Sequence, residues 1–123
     1  MGVTRPLISR LDPWVPPIAL MALIFALSAQ PDLNSGLGTI DLIGRKLIHA
    51  TEYGLLCFLW WRALRTVATP RAAIVLALGI AIGYAGTDEF HQHYVPGRHA
   101  APLDVVIDAV GAGIAAVLLV RRA

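Results

Sequence analysis

The sequence predicts an all-α integral membrane bundle of four transmembrane helices, and three observations carry this. Of 123 residues, 57% are hydrophobic and only 15% charged, with mean hydropathy +0.67, whereas soluble domains have about 45–50% apolar and about 25% charged residues. Four apolar stretches approach the roughly 17–25 residues a membrane helix requires, and none shows the alternation of a strand. The titratable residues that do not simply flank these stretches gather in two blocks, Lys46–Tyr53 and Thr87–Arg98, with Asp104 following. The length fits one domain over residues 1–123.

The first helix is expected over about residues 14–30. Pro16 and Pro17 suit its first turn, and Pro31 closes it. An alternative is a signal peptide, with Arg5 and Arg10 before the apolar Ile18–Leu27 run and Ala26-Leu27-Ser28 before a cleavage site. The long, proline-containing leader favours a retained helix. The second helix is expected over 43–64, with Lys46, His49 and Glu52 near its start. The third covers 72–87. A short polar re-entrant or interfacial helix, capped by Thr87 or Asp88, is expected between it and the fourth. The fourth covers 102–120, with Asp104 and Asp108 in its first turns. Cys57 is alone and reads as a small buried hydrophobe. Gly79 and Gly83 form a small-residue stripe for close helix packing, within the chain or in a homodimer.

Basic residues set the expected orientation. Arg5 and Arg10 precede helix one, Arg62, Arg65 and Arg71 join helices two and three, and Arg121 and Arg122 follow helix four. The other two loops hold only Arg45, Lys46 and Arg98. Both termini are therefore expected in the cytoplasm. Both polar blocks then fall at the outer face, and Trp14, Trp60 and Trp61 form an inner aromatic belt.

Charged groups near or inside membrane helices are expensive and mark a functional site by default. Lys46, His49 and Tyr53 share a helix face, as do Asp104, Asp108 and Gly111. Arg98, after the Pro96-Gly97 turn signal, suits bidentate phosphate or carboxylate binding; pairing with Asp104 or snorkelling is the plain alternative. Glu52 is expected to be the best-buried carboxyl, either tuning a proton transfer or pairing with Arg98, Lys46 or His49. Asp108 is deeper than Asp104 and is expected to be protonated or paired. His91 and His93 are two apart, a spacing that points them away from each other on a helix; they could share an ion on an extended stretch, or one could combine with His49 across helices, and no metal is assigned to them. The residues contain no nucleophile elbow, phosphate loop or dinucleotide fingerprint. The net charge of +2 gives no basis for nucleic-acid binding.

Taken in order, Ser28-Ala-Gln-Pro31, Lys46-x-x-His49-x-x-x-Tyr53-x-x-Leu56, Asp88-Glu89-x-x-Gln92, Pro96-Gly97-Arg98 and Asp104-x-x-x-Asp108-x-x-Gly111 resemble the VanZ-like family of small bacterial membrane proteins. The resemblance spans about residues 20–118. One departure is Asp108, where the family pattern usually has Asn. The resemblance implies a multi-pass protein of the bacterial cytoplasmic membrane, linked to glycopeptide resistance of the teicoplanin type, and implies no particular reaction or cofactor.

Two functions follow as expectations. In the first, the chain handles an anionic lipid-linked substrate at the outer face, such as a polyprenyl phosphate or peptidoglycan precursor. Lys46, Tyr53, Gln92, Arg98, Asp104 and Asp108 bind it. His49, Glu52, Asp88, Glu89 and His93 supply acid–base chemistry. In the second, the polar residues are a non-catalytic network that locks the helices together or binds a partner.

Overall fold

The computed structural model describes residues 10–29, 39–96 and 102–122. Helices α1 (Val15–Ser28), α2 (Thr39–Leu64), α3 (Pro70–Gln92) and α4 (Pro102–Arg122) follow one another, with no strand among the described residues. Prolines occupy the first turns of α1 and α3, where the missing N–H has no intrahelical partner to lose. Thr69 caps α3, its hydroxyl accepting from the Ala72 N–H at 3.3 Å. Arg121 and Arg122 end α4, where cations oppose the negative end of the helix dipole.

Most helix ends lie within two residues of the sequence expectation, and two differ by more. Helix α2 starts four residues earlier, at Thr39. Helix α3 runs unbroken through Thr87, Asp88, Glu89 and Gln92, so the separate short helix is absent among the described residues. No Gly or Pro interrupts Thr87–Gln92, and the polar side chains find partners on neighbouring helices. Thr87 is therefore a mid-helix residue, not a cap; its hydroxyl donates to the Gly83 carbonyl at 3.1 Å.

The buried seam is made of small residues. Ala73, Ala77, Ala81 and Ala85 recur at every fourth position of α3, and Ala112 and Ala116 face inward from α4. Association of membrane helices depends on such close packing. The tightest approach is between α2 and α4: a Cβ built on Gly111 would overlap the Ala50 backbone, and one on Gly54 would lie 3.1 Å from the Gly111 carbonyl oxygen. Of the two uses expected for the Gly79/Gly83 stripe, packing within the chain is not seen: a Cβ at either position meets nothing within 4 Å.

The outward surface is apolar. Leu23, Phe25, Val75, Val106, Val110, Ile114 and Val117 are all exposed. So large an apolar exterior marks a surface that contacts lipid or another protein. Helices α3 and α4 are long and apolar enough to cross a membrane; α1 is shorter. Trp14 meets Trp60 edge-to-face at 6.2 Å, and the Arg65 guanidinium lies 4.7 Å from the Trp61 ring centroid. These aromatic and basic groups occupy the α2–α3 end of the bundle. The polar cluster occupies the other.

Candidate polar site at one end of the bundle

Each helix delivers polar side chains to the same end: α1 and α3 from their last turns, α2 and α4 from their first halves. Asp88 is the hub. Ser28 of α1 donates its hydroxyl to Asp88 Oδ1. The Tyr53 hydroxyl of α2 donates to Asp88 Oδ2 at 3.2 Å. Gln92 Nε2, one turn along α3, donates to Asp88 Oδ2 and to Ser28 Oγ, each at 3.3 Å. All four side chains are buried, with residue exposures of 0–5%. Both Asp88 oxygens act as acceptors. Below this group, the Tyr84 hydroxyl donates to the Met21 carbonyl at 2.6 Å. It ties α3 to α1.

Helix α4 adds two carboxylates that face α2. Lys46 Nζ bonds Asp104 Oδ1 at 3.0 Å in a partly exposed pair. One turn deeper, His49 Nδ1 lies 3.4 Å from Asp108 Oδ1. Asp108 is only 3% exposed, and its Oδ1 makes no hydrogen bond. The sequence rule that put Lys46, His49 and Tyr53 on one face therefore holds, and the facing Asp104/Asp108 pair answers it residue for residue. His49, Asp88 and Asp108 come together closely: one ligand atom from each lies within 4.8 Å of the others.

Other candidates take different places. Asp88 and Asp108 are more buried than Glu52, which is only half-buried, so Glu52 is not the best-buried carboxyl. Glu89 is buried, and His93 Nε2 lies 3.6 Å from its Oε1 across one turn. His91 stacks on Phe25 with ring centroids 4.4 Å apart. His91 and His93 thus diverge, as their spacing requires. Arg98 lies outside the described residues, so its pairing with Asp104, Glu52 or a ligand is not described here; within the structure Asp104 has Lys46.

Ser28 is the site residue that residue-type reasoning missed. A serine at the end of an apolar helix reads as an ordinary terminus. Only the approach of α1 to α3 makes it a donor to Asp88.

No curated protein and no solved structure matches the chain. Residues 13–122 match the VanZ/LLP1 family. That match takes in all four helices and every described polar residue of the site, and on it the chain belongs to the VanZ-like family.

Proposed function

We propose that this chain is a multi-pass protein of the bacterial cytoplasmic membrane that handles an anionic lipid-linked substrate at the outer face. Both termini are cytoplasmic in this reading. A polyprenyl phosphate or a peptidoglycan precursor fits the chemistry, and the family's link to glycopeptide resistance fits the compartment. The observation that carries the proposal is the convergence of Lys46, His49, Tyr53, Asp88, Gln92, Asp104 and Asp108 at one end of an apolar-sided bundle. Burying two carboxylates where neutral groups could join the helices is costly. Such groups are retained where their charge is used.

In this reading Lys46 and Arg98 hold the phosphate. Lys46 is placed for it at the partly exposed rim, exchanging part of its contact with Asp104 for the substrate oxygens. His49 sits one turn deeper and moves a proton, with Asp108 orienting its ring. Tyr53 and Gln92 fix Asp88 beneath it. Arg98→Ala and His49→Ala, tested separately, should still insert and accumulate normally but lose teicoplanin protection in cells. They should also lose any phosphate-bearing lipid seen with the wild type by native mass spectrometry. Full function in both variants defeats the proposal.

The three hydrogen bonds that Asp88 accepts from three helices favour a second reading, in which the cluster is a clasp for the helices. Its signature is loss of accumulation and thermal stability whenever function is lost.

A further inference from the structure

We infer that His49, Asp88 and Asp108 form a binding site for one divalent first-row transition-metal ion, of the Mn²⁺ or Zn²⁺ type. The inference does not depend on the lipid-handling reading. Three rigid helices each contribute one ligand: α2 the imidazole, α3 and α4 the carboxylates. Bonds of about 2.0–2.2 Å place neighbouring ligand atoms roughly 3.0–3.6 Å apart. The His49 Nδ1–Asp108 Oδ1 distance of 3.4 Å is already in that range, and all three ligand atoms lie within 4.8 Å of one another. Small side-chain rotations close the remainder.

An independent observation points to a ligand. Asp108 is 97% buried, and its Oδ1 makes no hydrogen bond, its one facing group being the His49 nitrogen 3.4 Å away. It faces the imidazole at a distance that suits two ligands sharing an ion. Charge leads the same way. Among the described residues, two buried carboxylates face one imidazole, while Lys46 is engaged one turn away by Asp104. A divalent cation between the carboxylates offsets their repulsion and desolvation.

The surroundings resemble the outer shell of a metal site. Ser28, Tyr53 and Gln92 hold the Asp88 carboxylate in orientation, as outer-shell donors do for metal-bound carboxylates. The donor set of one imidazole and two carboxylates, without thiolate, favours Mn²⁺ or Zn²⁺ over soft ions. The imidazole distinguishes it from an all-oxygen Mg²⁺ or Ca²⁺ cage. Three protein ligands leave coordination positions open. The half-buried edge of His49 gives the ion a route in.

The test uses full-length protein in mild detergent, stripped with a chelator and titrated with Mn²⁺ and, separately, Zn²⁺. One saturable ion per chain is expected. Pulsed EPR of the Mn²⁺ form should show coupling to a single imidazole nitrogen. His49→Gln and Asp108→Asn should each weaken binding at least about tenfold, the effect seen even for outer-shell changes. A His91→Ala/His93→Ala double variant should bind as the wild type does. Absence of saturable binding, coupling to two imidazoles, or undiminished affinity in both His49→Gln and Asp108→Asn overturns the assignment. Because the EPR signature is read on the wild type, misfolding of a variant leaves the test intact.

Discussion

Replacing Asp88 with Asn removes a charge and leaves its hydrogen-bonding shape almost unchanged. The amide can present its oxygen to the Tyr53 hydroxyl and Gln92 Nε2, which now bond Asp88 Oδ2. Its NH2 group then faces Ser28, whose oxygen can accept once its own proton turns to the carbonyl one turn back in α1. No donor is orphaned. Asp88→Asn should therefore change stability by no more than about 1 kcal/mol. Asp88→Ala is different. Ser28 still accepts from Gln92 at 3.3 Å, and its own proton can turn to the carbonyl one turn back in α1. The second Gln92 N–H and the fully buried Tyr53 hydroxyl lose their acceptor, and a cavity opens beside them. Two orphaned buried donors cost about 2–6 kcal/mol, and the missing atoms add to it. At about 4 °C per kcal/mol, Asp88→Ala should melt at least roughly 8 °C below wild type. Thermal melts followed by circular dichroism in one detergent check both values. The functional readout then divides the two proposals. If the charge of Asp88 is used, Asp88→Asn is stable and inactive; if Asp88 is only a clasp, it is stable and active. An Asp88→Asn protein that melts as low as Asp88→Ala refutes the hydrogen-bond accounting.

Gly111→Ala should destabilise by about 1–3 kcal/mol or more, because its Cβ meets the Ala50 backbone, which cannot rotate aside; Gly79→Ala, with open space around its Cβ, should melt within a few degrees of wild type. Lys46→Met should lower stability by less than about 1 kcal/mol, since its pair with Asp104 is partly exposed, while retention of any phosphate-bearing lipid falls; unchanged retention removes Lys46 from the substrate site. Cys57 is fully buried and should resist maleimide in the folded protein. In a Cys57→Ser background, Tyr94→Cys should label with an impermeant maleimide on intact cells and Val67→Cys only after permeabilisation. Both positions are exposed at opposite ends of the bundle, and the reverse pattern overturns the proposed orientation.

The helices were legible because apolar runs and prolines mark them directly. Facing pairs were half legible. The i, i+3 and i+4 spacing put Lys46, His49 and Tyr53 on one face and Asp104 and Asp108 on another. Nothing in the spacing said that these faces meet. The polar end of α3 misled because Thr87-Asp88 resembles a cap. A cap is a local signal, whereas the partners that keep α3 helical through Gln92 lie on α1 and α2. The glycine motif did not say which helix it would meet. Gly79 and Gly83 match a familiar pattern, but the face that packs carries Ala73, Ala77, Ala81 and Ala85. A small-residue stripe reports that close packing is possible, and only the neighbouring helix decides which stripe is used. Ser28 was visible only through the Ser28-Ala-Gln-Pro31 motif, because a single hydroxyl has no periodicity to detect.

Asp108 gives the sharpest separation of site from scaffold, because its contribution should have the opposite sign from that of Asp88. Its Oδ1 makes no hydrogen bond, and it lies close to a second buried carboxylate. Removing its charge with Asp108→Asn leaves the volume nearly intact and strips no donor of its acceptor. It relieves whatever desolvation and repulsion Asp108 imposes in the metal-free protein. The metal-free Asp108→Asn protein should therefore melt at or above the temperature of the metal-free wild type. With saturating Mn²⁺ or Zn²⁺ the order should reverse, because an ion bound only to the folded wild type stabilises it as its concentration rises above the dissociation constant. A clasp predicts no such crossing, since a clasp residue is one whose removal lowers stability in every condition. An Asp108→Asn protein less stable than wild type without metal, and equally so with it, would assign Asp108 to the scaffold. A crossing assigns it to a site maintained at the expense of stability, as functional groups commonly are.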